Sequence, residues 1–435
     1  MQKACSLSVL SIRKATSPPL RLFNMRLSAI ALTARWASLS TAALVPSRRQ
    51  DSGLYFPVQQ ATLKNARVGE QYSASVGGLV LGENSADAAF TKVVGGEWVE
   101  ISAGGRLSGI PGEGDEGATE IEIQATVDAA TAATIRVTVP VRGAATPLVD
   151  QFSVMSYNLW QGGANVNNYH EKQLRFILES GADLIGFQES VDGGHAMRLG
   201  NALGWETSQT NSSAAIISRY PIVEEYDQVR VSRGARISLN GESDSKQEIN
   251  FWNTHLTAYP YGPYGFCFDN DTPEAVLSIE SESGRTSQMI ETLEAMSTQL
   301  ASSNAIPVLL AGDMNAPSHL DYTEPLVEEH CGIADFDWPT SVLPAQAGLI
   351  DSYRVAHPDP AAVEGETWSP IYPYNEGVTG DPEPQDRIDF VYATEQLEAV
   401  RSKTLLAGEP QPYPGHEDNE WTSDHRAVLT HFRFR

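Results

Sequence analysis

Several apolar runs in this chain end in a polar, mostly ionisable residue. Asn158 follows "FSVMSY", Glu189 follows "DLIGFQ", His255 follows "INFWNT", and Asp313 and Asn315 follow "PVLLAG". Asp389 lies within "RIDFVY", and Asp424 with His425 precedes "RAVLTHF". Buried at strand ends, so many charges would be costly unless they paired with one another or held a cation. Carboxylate and amide oxygens suit a hard cation that keeps several of its own waters, Mg²⁺ first, with Mn²⁺ or Ca²⁺ as alternatives. A cation, a base for water and donors for phosphoryl oxygens are together what hydrolysis of a phosphoester by direct water attack needs.

On that reading Glu189 is the main metal ligand, Asn158 adjoins it, and Asp424 helps to hold the metal or its water. Asp313 orients and deprotonates the attacking water, and Asn315, two residues on along an extended segment, shares its face and donates to a phosphoryl oxygen. His425 contacts the phosphate while Asp389 holds its ring, and His255 sits beside the phosphate or the leaving group. Taken singly, each Asn or Asp is better explained by turn chemistry, and only the joint pattern points to function. A single histidine is usually a surface or satisfied residue, which is how we read His170, His195, His319, His330, His357, His416 and His431. Arg387 and Arg426 suit a structural ion pair or a phosphate contact, and Arg285 is within reach of such a site from the start of its helix. No GxSxG nucleophile elbow is present.

The elements that must position these residues are legible in outline. "FSVMSYNLW", "ADLIGFQES", "AAIIS", "INFWNTH", "IPVLLAG", "RIDFVYAT" and "HRAVLTHFRF" read as strands. "EKQLRFILESG" reads as a helix with Leu174, Ile177 and Leu178 on one face, stopped at Gly181. "RTSQMIETLEAMSTQLASS" reads as a second, with Met289, Ile290, Leu293, Met296 and Leu300 as its stripe. Many strands with few helices between them predict an α+β domain over 150–435, two sheets with helices outside. Before it, over 51–145, alternation in Ile121, Ile123, Ala125, Val127 and again in Ile135, Val137, Val139 predicts a small β-sandwich, and "GAATPLVDQ" reads as a linker.

In order along the chain, "SYNLW", "GFQES", "SRYPI", "NTHL", "AGDMNAP", "DRIDFVY" and "SDHRAV" resemble the endonuclease/exonuclease/phosphatase (DNase I-like) superfamily. The resemblance implies a four-layer α/β sandwich with its active site at one edge, a Mg²⁺-dependent phosphoric ester hydrolase, and the same duties for Glu189 and Asn158. "GEWVEISAGGRLSGIPGEGDEG" resembles the Ig-like repeats of secreted proteins, and implies a small all-β Ig-like sandwich, read here as a spacer or stabilising module.

The formal charge of −25 is unevenly spread. Residues 1–50 hold eight basic residues and no Asp or Glu, leaving 22 Lys and Arg against 55 Asp and Glu in the rest. So acidic a body repels polyanions at long range, although bound cations can invert the field locally. The stretch from Met25 to Ala42 resembles a secretory signal, and 1–50 as a whole also has the traits of a mitochondrial presequence, so we expect secretion, with mitochondrial import as the alternative. Cys267 and Cys331 remain beyond that segment, and an oxidising compartment would let them pair. No run of eighteen uncharged apolar residues suggests a transmembrane span. The substrate classes compatible with this reading are a small-molecule, a lipid-derived or a nucleic-acid phosphoester. A secreted nuclease and a noncatalytic binding protein that keeps the fold are the competing readings. The loops 259–284 and 368–385, rich in Tyr, Phe and Pro, are candidates for shaping the pocket.

Overall fold

The computed structural model describes residues 53–190, 194–241, 247–375 and 380–435. The leader expected over 1–50 lies outside the described residues.

Two six-stranded sheets form the centre of the larger part of the chain. The first runs Glu206–Gln209, Ala215–Ser218, Leu184–Gln188, Gln151–Asn158, Ala427–Phe434, Leu397–Leu405. The second runs Ile222–Glu225, Ser232–Ser238, Glu248–His255, Val308–Asp313, Asp389–Ala393, Ile350–Asp351. Phe152, Val154, Leu184 and Phe432 of the first sheet share one buried cluster with Ile237, Phe251, Leu309 and Val391 of the second. The alternate residues face outward. Met155 and Tyr157 join Leu174, Ile177 and Leu199 of the helices Tyr169–Ser180 and His195–Leu203. On the far side Trp252, Val308 and Leu310 join Met289 and Met296 of the helix Arg285–Ala301. Both faces of the central strands are therefore covered, which is why they read as apolar runs rather than clean alternations. The result is the four-layer α/β sandwich.

The helix stripes need one adjustment. Ile290 is 40% exposed, so the buried line of the second helix passes through Arg285, Gln288, Met289, Thr292 and Met296 instead. Gly181 ends the first helix in the left-handed conformation, as expected.

Register aligns the polar strand ends. His255 pairs opposite Asp313 across a parallel ladder, and Asp313 opposite Asp389 across an antiparallel one. In the first sheet Asn158 lies opposite Gln188, the residue before Glu189. The two sheets approach closely just beneath this edge. Gln188 Nε2 donates to Asn253 Oδ1 at 2.6 Å, and Asn253 Nδ2 donates to the Phe187 and Ala215 carbonyls. A Cβ on Gly186 would lie 2.5 Å from Asn253 Oδ1. Gly186→Ala is thus expected to push the sheets apart and cost about 1–3 kcal/mol, as overpacking a tight core does. A denaturant titration of the variant checks it, and an unchanged midpoint would mean the interface is slack.

Between Gln60 and Arg142 the chain is all β, in a five-stranded and a three-stranded sheet, and this is compatible with an Ig-like sandwich. Ile121, Ile123, Ala125, Ile135, Val137 and Val139 are all buried, matching the alternation. Its core continues without a break into Ala196, Ala202 and Leu203 of the larger part. Arg67, 3% exposed, donates to Asn240 Oδ1 and O at 2.7 and 2.8 Å. The segment 143–151 is not a free tether. Leu148 and Val149 are buried in the inter-sheet core, and Asn240 Oδ1 accepts from the Leu148 amide.

Candidate active site

A cavity of about 350 Å³ opens at the edge where the polar strand ends align. Glu189, His255, Asp313, Asn315, Asp424 and His425 line it. Asn158 and Asp389 lie directly behind, fully buried.

Asp313 Oδ2 is the point of convergence. Asn158 Nδ2 donates to it at 3.0 Å, and the Nε2 atoms of His255 and His425 each stand 3.7 Å away. Burial raises the Asp313 carboxyl above the usual carboxylate range, with Asp389 adding to the rise against the two histidines. Asp389 Oδ2 holds His425 Nδ1 at 2.8 Å. Burial alone would lower the His425 imidazole, but Asp389 and Asp313 outweigh it and raise the group well above its ordinary value. His255 is steadied from its other nitrogen by Ser213 Oγ at 2.7 Å.

Glu189 is joined to this group through the Asn158 amide. Its Oε2 accepts from the Gln161 amide at 2.6 Å, and its Oε1 is 3.4 Å from Asn158 Nδ2. Burial first, and Glu189 among its neighbours, push the Asp424 carboxyl up to about 8. Asp424 Oδ1 has no hydrogen-bond partner although it is buried. Two carboxylates facing one cavity, one with an orphaned oxygen, form a donor set that fits a hard divalent cation. Asn158 is placed differently. Its Oδ1 accepts from the Trp160 amide at 2.9 Å, so the nitrogen, not the oxygen, faces the carboxylates, and a ligand role would require that amide to turn over. Asp313, Asp389 and His425 also bring one potential ligand atom each within 4.8 Å of one another. The Asp389 to His425 hydrogen bond already occupies that group.

The loops that carry these residues are strained. Trp160, Gln161, Glu189 and Asn315, all lining the cavity, adopt left-handed φ angles of 51°, 54°, 55° and 48°. Such conformations cluster where function over-determines the backbone. Asn315 is therefore not on an extended segment. The strand ends at Asp313, whose Oδ1 accepts the Asn315 amide at 2.9 Å, and this turn rather than a pleat brings the pair together. Asn315 Nδ2 also donates to the Leu256 carbonyl at 2.9 Å, leaving one hydrogen for another acceptor.

Reading the sequence did not single out Trp160, the Gln161 amide, Ser213, Trp368 or the Gln188 and Asn253 spacer. Trp160 stood inside "SYNLW" as the one available signal. The loop at 259–284 does wall the cavity, through Tyr259, Tyr261 and Tyr264. Instead of a plain loop it contains the helix Pro273–Glu282 and is tied by the disulfide Cys267–Cys331. Arg285 does not reach the cavity. It is fully buried on Glu280 and donates to the Thr257 and Ala258 carbonyls, so it shapes the wall from behind. Arg387 pairs with Asp321 and Asp351, and Arg426 with Glu366.

A two-sheet sandwich with helices outside and a rim of converging Asp, Glu, Asn and His defines a class, and comparison with known proteins agrees. Residues 155–425 match the model of the Endonuclease/Exonuclease/phosphatase family, and the chain belongs to that family. An uncharacterized Caenorhabditis elegans protein is 30% identical over 292 residues, spanning 65% of this chain and 91% of that protein. Among solved structures, truncated TDP2 from C. elegans is 16% identical with a TM-score of 0.41, covering 65% of this chain and 98% of that one. A Bacteroides thetaiotaomicron mannosyl-6-phosphatase is 16% identical with a TM-score of 0.39, covering 65% and 100%.

Proposed function

We propose that the protein is a metal-dependent hydrolase of small phosphoesters, working by direct water attack. The observation that carries this is the convergence of two histidines and an amide on the one buried oxygen Asp313 Oδ2. Glu189 and Asp424 would hold the cation, Mg²⁺ first. Bound there, it would neutralise charge on the phosphoryl oxygens and make a water more acidic.

The remaining chemistry falls to side chains. Asp313 takes a proton from water as the water oxygen bonds to phosphorus. The ester P–O bond breaks on the opposite side, and the departing alkoxide takes a proton from His255, which Ser213 orients. His425, held by Asp389, donates from Nε2 to a phosphoryl oxygen, and Asn315 offers its free amide hydrogen to another. No covalent intermediate is needed.

No Lys or Arg lines the cavity among the described residues, and the body is acidic, which favours a small ester over a long polyanion. The disulfide and the signal-like start support secretion. The test is a panel of bis(p-nitrophenyl) phosphate, sphingomyelin and plasmid DNA, each with Mg²⁺ and with EDTA. We expect Mg²⁺-restored cleavage of the small ester and loss of it in EDTA. Cleavage that survives chelation would overturn the mechanism, and cleavage of plasmid DNA alone would favour the nuclease.

A further inference from the structure

The end of the cavity beyond the catalytic group is aromatic. Tyr259, Tyr261 and Tyr264 form one wall, and Trp368 another, its ring centroid 5.0 Å from that of His425. One carboxylate ties the two walls together. Glu383, 5% exposed, accepts from Tyr264 Oη at 2.7 Å and from Trp368 Nε1 at 2.8 Å on the same oxygen, and from Asn375 Nδ2 at 2.9 Å on the other. All three donors are neutral, so no hydrogen-bonded cation offsets its negative field at the back of the rings. Asp386, also buried, accepts from Tyr261 Oη at 2.8 Å behind the same wall.

A purely apolar ester arm would need neither carboxylate. An anionic arm would be repelled by the charge behind the rings and would find no Lys or Arg in the cavity lining among the described residues. Electron-rich ring faces backed by negative charge, in a partly dehydrated cleft, attract an organic cation through cation–π and Coulomb terms acting in the same direction. Trp368 packs against His425, the residue assigned to the phosphate, so a cation held at this end would be joined to the phosphorus by a short spacer.

We propose that this aromatic end binds an ammonium group, so that the substrate is a zwitterionic phosphoester whose retained arm carries the cation. The inference rests on the hydrolase reading above and narrows its substrate. Choline and ethanolamine arms share this chemistry.

Three p-nitrophenyl phosphodiesters separate the outcomes: one with a choline arm, one with an ethanolamine arm, and one with the neutral isostere in which a quaternary carbon replaces the choline nitrogen. In each, water adds to phosphorus, p-nitrophenolate leaves, and the arm stays on the product phosphate. With Mg²⁺ present we expect kcat/KM for the better ammonium ester to exceed that of the neutral isostere by about tenfold. We expect Glu383→Gln to shrink that ratio severalfold. A ratio of one or below in the wild-type protein overturns the inference, whatever the variant does. Titration calorimetry of phosphorylcholine against its neutral isostere reads the same preference without turnover. A protein that cleaves none of the esters but still prefers the ammonium ligand would sink the hydrolase reading and leave the subsite standing. Equal binding of the two ligands would overturn the subsite itself.

Discussion

Alanine in place of Asp313 is expected to lower kcat on the small ester by about three orders of magnitude, the middle of the range a positioned general base supplies. The size follows from what meets at that carboxylate. Asn158, His255 and His425 all direct a nitrogen at Oδ2, and Oδ1 secures the turn that presents Asn315. The substitution therefore removes the base and the common partner of its neighbours in one step. Asp313→Asn keeps the shape but cannot take a proton, so it should be nearly as inactive while folding like the parent. His425→Ala should also be severe. The double variant should fall far short of the product of the two losses, because groups that act as a unit lose their value together. Steady-state kinetics on the three variants, with circular dichroism to verify folding, decide the matter. Near-parental turnover by Asp313→Asn would show that the proton goes elsewhere.

The residues at this point could be found in the sequence for a physical reason. Strands buried on both faces read as uninterrupted apolar runs, so the first ionisable group after each one stands out: Glu189 after Phe187 and Gln188, Asp313 after Leu309 and Leu310. Their meeting in space was not legible. It depends on the registers that set His255 against Asp313 and Asp313 against Asp389. The edge strands Ile222–Glu225 and Leu397–Leu405 escaped notice because they are largely exposed or half-exposed and carry no apolar run. The wall at 259–284 looked like loop because its helix is short and amphipathic only weakly. Its order comes from Phe266, Val276, Tyr322, Phe336 and Trp338 packing together beside the disulfide. The turn that gives Asn315 a left-handed φ has no signature beyond the Asp-x-Asn spacing, which served equally well for an extended segment. Trp368 belongs to a segment held by backbone pairing to Asp386, a contact between stretches with no shared pattern.

Arg387→Ala is expected to give the largest loss of stability, about 3–5 kcal/mol, the usual result of stripping one partner from a buried ion group. Arg387 is 3% exposed and lies over the Phe390 ring, 4.6 Å from its centroid. Its Nε and Nη2 donate to the two oxygens of Asp321 at 3.0 and 2.9 Å, and Nη2 stands 2.8 Å from Asp351 Oδ2. Arg354 supplies only one more cation, through Nε to Asp321 Oδ1 at 2.6 Å. Without Arg387, two nearly buried carboxylates would share a single guanidinium. Asp351 could not simply move away, because its Oδ1 caps the helix Ser352–Ala356 by accepting from the Tyr353 and Arg354 amides. Arg387→Lys should recover only part of the loss, since an ammonium keeps the charge but not the planar fork that spans both oxygens of Asp321. Arg387 precedes Asp389 by two residues, so its anchor also fixes where the strand Asp389–Ala393 begins and hence how His425 is held. Urea unfolding, followed by the fluorescence of the buried Trp252, Trp338 and Trp421, measures the stability change in both variants. If lysine matched the parent, the fork would be dispensable, and if alanine cost nothing, Asp321 and Asp351 would have to be neutralised by some other means.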